Sequence, residues 1–298
     1  MKKIILLCAL LIVGASLCFA QDDVYLDPNS SCLVSVNNIE YTGSLPDNSA
    51  GSILADIALI LLDGTSVKNM AGSQDAVRAA IIKGLSDSFR AIPIDGKFTE
   101  DERNSPGSMV VDASVSNLSA VTKTHSNTYK DKNGKKHTSS YTDYYGKISL
   151  TLIVKDALTD VVIDTEKFDI EKSDDAFFES ESGAFESALK RLAKRVRQYF
   201  DTILPLTGTI IENGRISGDR LREVYIDLGS NHRIKSDKKL SVYKFGNIAG
   251  KDVQKEIGKI RVKQVMGPEI SLCRITSGAK DITQALVNGE PIAVMTYE

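Results

Sequence analysis

The residue types best suited to chemistry crowd into one short stretch. His125 and His137 flank Asn133-Gly134, a dipeptide that closes tight β-hairpins. A hairpin there sets two imidazoles on facing strands, where they could share a metal with Asp131 or Asp143 as a third ligand. The plainer reading makes both histidines exposed residues of a solvated ribbon, and no metal is expected. Tyr129, Tyr141, Tyr144 and Tyr145 lie in the same stretch, with Lys130, Lys132, Lys135 and Lys136 at its tip. Tyrosines among lysines and polar residues suit a contact surface, although Tyr and Thr also favour strands in their own right. A projecting ribbon tips the balance towards contact. Tyr129, Lys132, Lys135, His137, Tyr141 and Tyr144 are therefore the candidate contact surface.

Elsewhere the chain is poor in chemistry. It has no G-x-G-x-x-G, no P-loop, no H-E-x-x-H and no paired C-x-x-C, so no catalytic residue, cofactor or metal site is expected. The basic run Lys190, Arg191, Lys194, Arg195 and Arg197 could meet acidic headgroups or cell-wall polymers. Such runs are more often solvated helix faces, and Glu186 stands four residues before Lys190, the spacing of an i, i+4 ion pair.

The N-terminus bears on location. Lys2-Lys3, an apolar run Ile4 to Val13, and Cys18-Phe19-Ala20 have the layout of a secretory signal peptide cleaved after Ala20. Cys18 follows Leu17 where lipidation wants a small residue, so no lipid anchor is expected there. Net charge is −2, and loss of Lys2 and Lys3 takes it to −4, 35 basic against 39 acidic side chains. That balance argues against nucleic acid as the partner. Trp is absent, which excludes a Trp-lined carbohydrate groove. Cys8 and Cys18 leave with the signal. Cys32 and Cys273 remain, as a disulfide or, on the reading preferred, as buried free thiols.

The elements that must position the ribbon are read from periodicity. The central stretch Tyr145–Lys172 reads as a hairpin, with Ile148, Leu150, Leu152 and Val154 on one face and a turn over Asp156–Asp160. Cys32–Tyr41 reads as a strand. Ala55–Leu62 is ambiguous between helix and buried strand and is taken as a strand, because the helix and strand after it would complete a β-α-β unit. Asp75–Ser86 is an amphipathic helix, and Phe89–Ile94 a short strand that Pro93 confines to an edge or a bulge. The strand from Met109 runs into the ribbon, whose outer part, 124–144, projects beyond the sheet. The ribbon has no continuous apolar face, so it lacks the alternation of a lipid-facing barrel strand. Phe185–Ile203 keeps its apolar stripe without a gap. After Pro205 come short strands at 208–212, 223–227, 240–243, 257–265, 270–275 and 291–297, the texture of a small barrel. The expected fold is α/β (α+β): a three- to five-stranded mixed sheet covered by two helices over 21–204, then a small all-β SH3-like barrel over 206–298.

On the phrases IALILLDGT, DAVRAAIIKGLSDSF, SMVVDASVSNL and SLTLIVKDALTDVVIDT and the long helix, residues from about 55 to 204 resemble the periplasmic α/β domain shared by CsgG, the TolB N-terminal domain and LpoB. Thr159-Asp160 stands where that group reads Thr-Gly. On VYIDLGSNHRIKSDKKLSVYK, EIGKIRVKQV and ALVNGEPIAV, the tail resembles the C-terminal domain of FlgT. The resemblance implies a non-enzymatic, secreted, periplasmic or outer-membrane-associated protein that binds envelope proteins or assembles into a homo-oligomer, with at most peripheral membrane contact. It further implies two alternatives, an LpoB-like activator of cell-wall synthesis and a subunit of a CsgG- or FlgT-like secretion or motility ring.

Overall fold

The computed structural model describes residues 29–44, 51–63, 76–171, 178–218, 220–248 and 250–296. The segment expected to be a signal peptide, Cys18 within it, and residues 172–177 lie outside them. The chain divides into two units, Cys32–Gln198 and Tyr199–Glu298 together with the N-terminal residues through Ser31.

In the first unit, β1 (Cys32–Ser44), β2 (Ala91–Asp95), β3 (Met109–Lys130), β4 (Lys136–Asp156) and β5 (Val162–Ile170) form one mixed sheet in the order β2-β1-β3-β4-β5. β1 is parallel to β2 and β3, and the remaining pairs are antiparallel. β2, which carries Pro93, is an edge strand, as its missing N–H requires. Val34 and Val36 of β1, Val111, Ala113 and Val115 of β3, and Ile148, Leu150, Leu152 and Val154 of β4 make one buried face. Two helices cover it, α2 (Ala76–Asp87) and α4 (Glu181–Ile203). The fit is close enough that a Cβ on Gly146 of β4 would lie 2.5 Å from the Ala184 carbonyl oxygen of α4. One on Gly84 of α2 would lie 2.6 Å from the carbonyl oxygen of Ala193. A single helical turn, α3 (Glu100–Arg103), is held by a capping box between Thr99 and Glu102.

The expected strand over 55–62 is instead a helix, α1 (Gly51–Leu62). Leu54, Ile57, Ala58 and Leu61 are buried while Leu59 and Ile60 are 59% and 55% exposed. That is the i, i+3, i+4, i+7 stripe of a helix packed on one side, and α1 packs against α2. The run of six apolar residues hid this stripe, because its outward positions are as apolar as its inward ones. The β-α-β unit exists, but its first strand is β1.

In the second unit seven strands form one antiparallel sheet. They are β6 (Thr207–Gly208), β7 (Ile210–Asn213), β10 (Glu223–Ile226), β11 (Lys239–Ile248), β12 (Lys251–Val265), β13 (Ser271–Ser277) and β14 (Ile292–Thr296). The order is β6-β14-β11-β12-β13-β10-β7. β6 and β7 are consecutive in the chain yet lie at the two ends of that order, so the sheet curls to near closure. Thr209 marks the change of partner: its N–H and hydroxyl both donate to the Asp227 carboxylate, at 2.6 and 2.7 Å. A small pair, β8 (Ile216–Ser217) and β9 (Arg220–Leu221), stands apart. Where the sequence suggests only strands, the unit also holds a helix, α5 (Ala279–Val287), which buries Ile282 and Ala285. β11 and β12 run well past the expected 240–243 and 257–265, pairing through Ile248↔Lys251. Those outer residues scatter Phe245 and Val253 among polar ones with no continuous apolar face, so periodicity could not reveal them. At the edge of β6, the Asn29 side chain accepts from the Thr207 N–H at 2.9 Å and donates to its carbonyl at 2.6 Å, standing in for a neighbouring strand.

Candidate contact surface

The ribbon is the outer part of β3 and β4. β1 last pairs with β3 at Ser44↔Asn117, and β5 last pairs with β4 at Ile148↔Ile170. From Ser119↔Lys147 to Lys130↔Lys136 the two strands pair with each other; the bridge between Tyr144 and Phe178 is an added tie near the base. Ala120↔Gly146 still lies against α4; beyond Tyr144, from Lys123↔Asp143 to Lys130↔Lys136, the arm is about 26 Å long at roughly 3.3 Å per residue. An isolated two-stranded hairpin is marginal in water, so its order must come from cross-strand pairs.

Those pairs differ between the two faces. On one, His125 stacks on Tyr141 with ring centres 4.9 Å apart, and Tyr129 on His137 at 5.3 Å. Asp143 lies 3.2 Å from Nε2 of His125, and Asp131 lies 3.0 Å from Nε2 of His137. On the other face hydroxyls meet, Thr124 with Thr142 at 3.3 Å and Thr128 with Thr138 at 3.1 Å. Stacked rings and paired threonines are the cross-strand contacts that support a ribbon with no core beneath it.

Asp131 organises the tip. Its carboxylate accepts the backbone N–H groups of Asn133 and Lys135, both at 2.9 Å, and Gly134 takes φ +78°, which glycine adopts without strain. The hydrogen bond from His137, helped by the Lys135 and Asn133 amides, holds the Asp131 carboxyl below the usual aspartate range. Lys132 and Lys135 are exposed, while Tyr129 and Tyr141 are 59% and 55% exposed.

Register brings five of the six candidate residues together and separates the sixth. Tyr129, His137 and Tyr141 share one face, with Lys132 and Lys135 at the tip beyond them. Tyr144 pairs with Thr122 and so points to the threonine face. Its backbone exchanges hydrogen bonds with Phe178 at 2.8 and 2.9 Å. Register also separates the imidazoles. His125 lies opposite Tyr141 and His137 opposite Tyr129, four residues apart along the ladder, or about 13 Å. A shared metal does not fit that spacing, and each imidazole faces its own aspartate instead.

The basic helix face has structural work. Arg191 and Arg195 donate to the carbonyl oxygens of Glu171 and Asp169, at 2.7 and 3.0 Å, along the outer edge of β5. Lys190 pairs with Glu186. The guanidiniums thus cap an edge strand that would otherwise offer open acceptors. Cys32 and Cys273 are free, each buried in its own unit. Burial pushes the Cys273 thiol up to about 12. It also raises Cys32, against the opposing pull of Arg90. Neither is a thiolate at neutral pH.

No family model matches the chain, and no curated protein matches it. A solved structure from Helicobacter pylori, described as a neuraminyllactose-binding hemagglutinin homolog, is similar over 59% of this chain and 84% of its own, with 11% sequence identity and a TM-score of 0.31. A likeness at that level transfers neither fold nor function.

Proposed function

We propose that this is a non-enzymatic protein of the cell envelope, exported by its N-terminal segment, that works by binding or assembling with other envelope proteins through the β3–β4 arm. One observation carries the reading: an arm of about 26 Å with two exposed tyrosines, a lysine-rich tip and no core of its own. Such a ribbon buries little within its own unit, and its tyrosines and lysines offer both apolar area and charge to a partner. The CsgG/TolB/LpoB-like reading of the first unit accords with a mixed sheet under two helices. On the same reading the second unit is an SH3-like barrel with one added helix, comparable to the FlgT C-terminal domain.

The test shortens the arm. Replacing Asn127–Ser139 by Asn-Gly rejoins the ladder at Ser126↔Ser140 with a turn suited to a two-residue hairpin. The shortened chain is expected to fold as before and to lose envelope partners that the intact chain captures. Capture retained by the shortened chain overturns the proposal.

A further inference from the structure

The second unit carries a surface groove of about 560 Å³ beside the edge strand β7, floored by Ile211, Tyr225, Met266 and Ile270. A second hollow of about 370 Å³ continues from it, sharing Ile211 and Glu212 and reaching Ile216 and Val287. Ile211, Ile216, Met266, Ile270 and Val287 are between 42% and 80% exposed, a concentration of apolar surface that usually marks an interaction site. Its charge has one sign. Glu212 and Glu269 stand on the groove, and among the described residues no lysine or arginine lines either hollow.

The arm supplies the complementary surface. Its tip holds Lys130, Lys132, Lys135 and Lys136 against the single carboxylate of Asp131, which His137 and two backbone amides already engage. Tyr129, 59% exposed, stands next to the tip. An aromatic ring beside a cluster of lysines matches an apolar floor beside a pair of glutamates. We infer that the groove of one copy receives the arm tip of a second copy, with the Tyr129 ring over Ile211 and Tyr225 and the lysines against Glu212 and Glu269. Every chain carries one arm and one groove, so the contact closes as a two-fold dimer where the exchange is reciprocal and otherwise propagates into a ring or a filament. This rests on the reading of the arm as a contact element and gives it an occupant.

The test is sedimentation velocity of the purified full chain over a micromolar concentration series, with charge reversal at each side. The intact chain is expected to self-associate, and less so as salt rises. Lys132→Glu with Lys135→Glu, or Glu212→Lys with Glu269→Lys, is expected to weaken association by about tenfold or more. Combining all four reversals in one chain is expected to restore it, because every reversed tip then faces a reversed groove. Association restored in that chain cannot come from a misfolded site. An intact chain that stays monomeric, reversed variants that associate like the intact chain, or no rescue in the fourfold variant each overturns the inference. A monomeric intact chain leaves the arm reading standing, since that is judged separately by capture with the shortened arm.

Discussion

Asp131 shows how much of the arm rests on single groups. Its carboxyl titrates below the ordinary aspartate value of 3.8 because His137 and two backbone amides favour the charged form. The stabilisation it lends the tip is therefore complete above that value and is lost as pH falls through the lowered folded one. Hydrogen exchange at the Asn133 and Lys135 amides should be steady from neutral pH to about 4 and then lose protection, once the intrinsic pH dependence is removed. Protection that does not fall below that point contradicts the role given to Asp131. Gly146 is the corresponding residue under the sheet. Gly146→Ala drives a Cβ to within 2.5 Å of the Ala184 carbonyl oxygen and 2.7 Å of the Ala188 Cβ. It should cost about 1–3 kcal/mol in denaturant unfolding. Cys32 and Cys273 are expected to resist a thiol reagent at neutral pH in the native chain and to react once it is unfolded, as their raised pKa values and burial require.

Among the elements, legibility tracked the contrast between faces. The α4 stripe and the alternation Ile148, Leu150, Leu152, Val154 could be read directly, because apolar positions alternate there with polar ones. In α1 the outward Leu59 and Ile60 are apolar too, and the helical period disappears into a continuous run. The outer part of β11 and β12 fails for the opposite reason, since Phe245 and Val253 stand singly among polar residues and neither face has an apolar stripe. The arm lies between these cases: Asn133-Gly134 announced a turn, but the strands resume at Lys130↔Lys136, one residue off the register that a two-residue Asn-Gly turn would set. The observed register settles what residue types alone left open, namely that Tyr144 leaves the His–Tyr face and that His125 and His137 do not meet. The groove beside β7 had no sequence signal, because its lining comes from strands and turns far apart in the chain. As an element without a core, the arm should be dispensable for stability. Replacing Asn127–Ser139 by Asn-Gly is expected to leave the thermal midpoint within a few degrees of the intact chain, as for surface changes of about 0.5 kcal/mol. A larger fall would mean that the arm supports the sheet.

At the scale of the whole molecule, two units each carry one unusual surface: a ribbon with stacked rings and a basic tip on the first, an acid-rimmed apolar groove on the second. No helix among the described residues is long and apolar enough to cross a membrane. Among the same residues no cluster of three or more His, Cys, Asp or Glu could hold a metal. What the described structure offers most plainly is surface for contact, and the proposed function stands on the arm. It is tested by capture from envelope extracts with the intact chain and with the chain in which Asn127–Ser139 is replaced, after matched thermal midpoints have shown that both are folded. A partner enriched on the intact chain and lost from the shortened one is the expected outcome; equal enrichment on both would refute the role of the arm.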